Sequence, residues 1–80
     1  MARSTVNITN TYQQIATGVA TITVHKSGSG TLYLNETATD VNANNFKPDN
    51  SDQYIQDEAK NTWVRSDGLG WVLLVDGATV

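Results

Sequence analysis

One histidine, three tyrosines, two tryptophans and eight carboxylates are the side chains with which this 80-residue chain could do chemistry, and it has no cysteine. His25 stands beside Lys26 at the end of an alternating stretch and just before a glycine-bearing turn. A histidine base needs a nucleophile to serve. Thiols are absent, no Gly-x-Ser-x-Gly elbow presents a serine, and Ser27 and Ser29 belong to the turn itself. His25 therefore reads as an exposed strand-end residue, and no enzyme activity is expected.

Asp49 and Asp52, with Asn50 between them, could offer oxygens to a hard cation. Their spacing departs from the alternate-position ligands and central glycine of a calcium loop, so they read as turn formers beside Pro48. Asp57 and Glu58 are neighbours in sequence and face different ways on an extended chain, whereas a two-carboxylate hydrolase needs its pair to converge across a cleft. With a single histidine and no thiolate, neither a metal nor any other cofactor is expected. The aromatic set Tyr33, Tyr54, Trp63 and Trp71 admits two readings: a stacking platform for sugar rings, or rings that fill a small β-core or a subunit interface. The second is preferred, because large rings supply much of the burial in so short a chain.

The elements that would hold these side chains are strands. Thr, Ser and Asn make up roughly a third of the residues, and charged residues only 16%, against about a quarter in an average soluble domain. Thr5-Val6-Asn7-Ile8-Thr9 alternates, as does Ala20-Thr21-Ile22-Thr23-Val24, which places Ala20, Ile22 and Val24 on one face. Gln13–Thr17 is ambiguous between a short strand and an irregular crossing, with Gly18 marking a break. Ser27-Gly28-Ser29-Gly30 predicts a tight hairpin into Thr31-Leu32-Tyr33-Leu34. Residues 36–45 lack a period and read as a loop or short helical turn, with Phe46 tucking back as an anchor. After the Pro48–Ser51 turn come strands at Gln53–Gln56, Thr62–Arg65 and Trp71–Val75, the last two joined by a second predicted hairpin through Gly68 and Gly70. The sum is an all-β chain, one domain over residues 1–80, built as a small antiparallel β-sandwich or barrel of six to seven short strands.

Trp71-Val72-Leu73-Leu74-Val75 is apolar at every position. A strand shows one side to its core and the other beyond it, so Trp71, Leu73 and Val75 share one face while Val72 and Leu74 share the other. Eighty residues without disulfide or metal have little material to cover both. Trp63 and this run, Trp71 through Val75, are accordingly the candidate core and assembly interface, with self-association or docking on a larger structure as the source of the missing burial.

The formal net charge of −3 and the scatter of Arg3, Lys26, Lys47, Lys60 and Arg65 give no basic stripe for nucleic acid. No membrane segment and no secretory leader are recognised, so Asn7-Ile8-Thr9 and Asn35-Glu36-Thr37 are read as chance matches to the glycosylation tripeptide.

The succession Gly30–Glu36, Asp52–Gln56, Thr62-Trp63-Val64-Arg65 and Gly70–Val75 resembles the small β-rich virion structural proteins of tailed bacteriophages, most closely in the style of capsid decoration or cement proteins. The resemblance covers most of the chain and carries no ligand or catalytic signature, so no functional residue transfers with it. It implies synthesis in the cytoplasm of a bacterial host, a place in the virion, no cofactor, and multivalent docking with the major capsid protein as partner. A tail or fibre component, or a carbohydrate- or receptor-binding β-module, is the alternative.

Overall fold

A computed structural model describes residues 3–79. The chain is all-β and antiparallel, with seven strands: β1 (Arg3–Asn7), β2 (Gln13–Lys26), β3 (Leu32–Asn35), β4 (Asn44–Phe46), β5 (Gln53–Gln56), β6 (Thr62–Ser66) and β7 (Val72–Thr79). They form one sheet in the order β1-β7-β2-β6-β3-β4, with β5 alongside β2. Among the described residues no helix is long and apolar enough to cross a membrane.

The fold turns on β2. Its first residues pair with β6, Gln14 opposite Trp63 and Ala16 opposite Thr62. Its later residues run between β7, with Ile22 opposite Val75, and β5, with Ile22 opposite Tyr54. Ala16 is the handover, facing Thr62 across one edge and Thr79 across the other. One strand thus belongs to both halves of the sheet, and the sheet curls around it. The inward side chains of the two halves then meet in a single cluster, Leu32, Leu34 and Val64 from one half with Ile22, Val24, Leu73 and Val75 from the other. Strict alternation in Thr21-Ile22-Thr23-Val24 is what allows this, because each second residue is apolar and the pleat sends it inward.

Gly18, expected to break the chain between two elements, lies inside this continuous strand. It falls in the register shift between Ala16 and Ala20, where two partners change over, and a glycine there eases the local bend without ending the strand. The segment read as a loop through residue 45 contributes a short strand, β4, at its end. Phe46 is packed against the core as expected.

Neither predicted hairpin forms. β2 and β3 are not neighbours, and β6 and β7 are separated by β2. Residues 27–31 and 66–71 are instead crossing loops that dock on one another. Ser29 N–H donates to Leu69 O at 2.8 Å, Asp67 N–H to Thr31 O at 3.1 Å, and Leu69 N–H to the Ser29 hydroxyl at 3.0 Å. The linker after β1 joins them: Ile8 N–H donates to Trp71 O and Ser66 N–H to Thr9 O, both at 2.9 Å, while the Asn10 amide spans Ser66 O and Gly68 O at 2.7 and 3.0 Å. Glycine was correctly placed but serves a different purpose, since it lets two backbones approach. A Cβ on Gly68 would collide with the Ser29 carbonyl, and Gly30 adopts φ of 74° against Asp67 and Gly68.

Gly30→Val should therefore lower stability by ~1–3 kcal/mol or more, through the positive φ and the clash together. A shift of the urea midpoint at unchanged slope checks it, and an unshifted midpoint would contradict the docked-loop geometry.

Candidate docking face

The side chains picked out for chemistry are mostly spent on structure. Asn50 Oδ1 accepts from Ser27 N–H at 2.6 Å, Ser27 Oγ donates to Pro48 O at 2.9 Å, and Asp52 Oδ2 accepts from Asp49 N–H at 2.9 Å. The side chains of Asn50 and Asp52 are thus engaged in closing the turn, in which Asp49 takes part through its backbone. His25 is exposed at the end of β2. Asp57 is exposed too, and Glu58 pairs with Lys60 at 2.9 Å.

The four aromatic rings do not make one platform. Trp71 is 1% exposed, and its indole N–H donates to Ser29 O at 2.8 Å, so it fills the core and ties down the crossing loop at once. Tyr54 lies on the inward side of β5, packed against the core. Only Trp63 and Tyr33 share the outward face of β6 and β3, half-buried, with Asn35 opposite Trp63 and Arg65 opposite Tyr33.

Arg65 organises that face. Its guanidinium lies 4.3 Å from the Tyr33 ring centre and 5.6 Å from that of Tyr12, and it grips Asp40 through two hydrogen bonds of 2.9 and 2.6 Å. The Tyr12 hydroxyl donates to the same carboxylate at 2.6 Å. Asp40 lies in the long loop between β3 and β4, so the cluster staples that loop to the sheet. Hydrogen bonds from Arg65 and Tyr12 hold the Asp40 pKa down at about 2, while desolvation and Asp40 push Tyr12 up to about 12. Nothing in the sequence alone brings together residues 12, 40 and 65.

The other outward face is apolar. Trp71, Leu73 and Val75 point into the core, whereas Val72 and Leu74 point out and remain half-exposed. Register fixes their neighbours. Leu74 lies between Thr5 of β1 and Thr23 of β2, and Asp76 between Arg3 and Thr21, which in turn faces Ile55 of β5. Ile55 is 62% exposed and Val19, on the same outward side of β2, 58%. Val72 lies between Asn7 of β1 and the exposed Lys26 of β2. Of the charges on this face, Arg3 and Asp76 neutralise each other at 2.8 Å, and Lys26 stands at its edge. The result is a face carried by four strands on which aliphatic and threonine side chains predominate, with Asn7, Lys26 and Gln53 at its margins. Val19 was legible from the alternation that runs on through Thr21 and Thr23. Ile55 was not, because its Gln-Tyr-Ile-Gln setting leaves the inward side undecided until β5 is paired with β2. Comparison with protein-family models, curated proteins and solved structures found no match.

The Asp40 pKa lies below the ordinary value of 3.8, so the loop staple is fully present above that pH and is lost as pH falls through about 2. Carboxyl NMR should show Asp40 still ionised where the exposed carboxylates have protonated. Asp40→Asn should speed amide exchange in residues 36–43 while leaving the core amides protected; unchanged exchange in the loop would mean that the staple does not hold it.

Proposed function

We propose that this chain is a structural protein of a tailed-bacteriophage virion, a capsid decoration or cement protein that docks on the shell through the outward face of β7 and its neighbours. The observation that carries this reading is that exposed Val19 and Ile55 share the outward side of the sheet with half-buried Val72 and Leu74. Monomeric proteins seldom leave such a patch open unless something binds there. Its threonines add hydroxyls that can pair with a partner without the desolvation cost of charges.

A decoration protein works by numbers. Each copy need bind only modestly, because neighbours on a repeating shell raise the effective concentration for one another. The rigid core behind the face suits that role, since docking a preformed surface orders few side chains. What recommends the capsid as partner is the resemblance of the Gly30–Glu36, Asp52–Gln56, Thr62–Arg65 and Gly70–Val75 segments to phage virion proteins, joined to a face that fits a protein surface.

Two charge substitutions one residue apart test it. Leu73→Asp places a carboxylate where the side chain is fully buried and should cost on the order of 4 kcal/mol or more, unfolding the protomer. Leu74→Asp should cost about 1 kcal/mol or less, keep the circular-dichroism spectrum, and abolish co-sedimentation with shells that lack the protein. Co-sedimentation of folded Leu74→Asp at the level of the unsubstituted chain would reject docking through this face.

A further inference from the structure

A cleft of about 460 Å³ opens where the curled sheet fails to close. On one side stands β5, which pairs only with β2, and on the other β4, which pairs only with β3; the loop after β3 forms its lip. The volume falls within the roughly 300–1,000 Å³ of small-molecule sites. Its lining is mostly amides and hydroxyls, with one aromatic wall, Tyr54, one aliphatic side chain, Val41, and a single charge, Glu36, already paired with Lys60 at 3.1 Å.

The hydrogen-bonding capacity of this lining divides into two parts. Asn35 is spent on its own loop, donating to Thr39 O and Val41 O at 2.7 and 2.8 Å, and so shapes the lip. Gln56 accepts from Glu58 N–H at 3.1 Å and Asn61 from Gln14 at 3.0 Å, each through its carbonyl oxygen, which leaves both NH₂ groups available. Asn44 makes no side-chain hydrogen bond to the described residues. Thr62, 98% buried by its 2% exposure, also belongs to the lining, and its hydroxyl is the one buried side-chain polar atom among the described residues without a partner. A buried orphan of that kind costs about 1–3 kcal/mol.

We propose that this cleft is a binding site for a neutral saccharide. Side-chain amides offer donor and acceptor together, which suits adjacent sugar hydroxyls, and the half-buried ring of Tyr54 offers an apolar wall to the C–H face of a pyranose. Among the described residues no cation lines the cleft to hold a phosphate or carboxylate, and Lys60, which reaches its lip at Glu36, is shared between Glu36 and Glu58. The tryptophans take no part: Trp71 is in the core and Trp63 lies on the outward face of β6. The site is separate from the aliphatic docking face, so either assignment stands or falls without the other. On a multi-copy particle, weak binding at each cleft would sum to useful adhesion.

The test is a titration of the ¹⁵N-labelled chain with maltotriose, chitotriose and galactotriose, each alone, followed by NMR. One of them should move the side-chain amides of Asn44, Asn61 and Gln56 saturably, and Asn44→Ala should abolish the shifts. Thr62→Val removes the orphan hydroxyl at constant shape, and because that oxygen is shielded from solvent the change should leave stability equal or higher and sugar binding intact. A dispersed spectrum with no saturable shift from any of the three sugars overturns the proposal, as does binding that survives Asn44→Ala undiminished or centres on Trp63.

Discussion

The structure depends on one strand serving two masters. A chain of this length cannot build two independent sheets and fill the space between them, yet a single flat sheet would leave both faces wet. β2 resolves this by handing over at Ala16 from β6 to β7 and β5, so that the sheet folds back on its own inner side. Among the described residues twelve apolar side chains are buried as a result, from the inward side or from the links that carry Ile8 and Trp71. The outward faces receive no such cover. What the protein presents to its surroundings is thus a direct consequence of how it closes its core.

Closure needs the connections to cross between the halves, and crossing loops are expensive unless they satisfy each other's backbone groups. Residues 27–31 and 66–71 do so by meeting directly, with glycines at the contact points and Asn10 bridging from the linker after β1. Trp71 unites the two requirements. Its ring is buried in the core, and its indole N–H holds the opposing loop by the Ser29 carbonyl, so burial and topology are fixed by the same side chain.

The inward pattern was legible in the sequence wherever alternation was strict. Ala20, Ile22 and Val24 point inward as their spacing requires, and the two faces of Trp71–Val75 divide as the pleat dictates. Partnership was not legible. Glycine between two apolar runs means a hairpin when the strands are neighbours and a close backbone contact when they are not, and Gly28, Gly30, Gly68 and Gly70 gave the same local signal in either case. Gly18 misled for a related reason, because a register shift inside a long strand and a break between short ones look alike. The aromatic residues also separated: Trp71 and Tyr54 turned inward, Trp63 and Tyr33 outward. The Arg65 cluster and the polar cleft arise from loops brought together by the curl, contacts between positions far apart along the chain that no local pattern encodes.

The central claim is that the outward side of β7 is a covered surface in the protein's working state. Hydroxyl-radical footprinting of the chain, free and on purified particles of the kind on which it is proposed to dock, reads this residue by residue. The account predicts that Val72, Leu74 and Ile55 lose reactivity on the particle while Val41 and Leu69, exposed elsewhere on the fold, keep theirs. Equal reactivity of Val72, Leu74 and Ile55 in the two states, or absence of the chain from the particles, would contradict it.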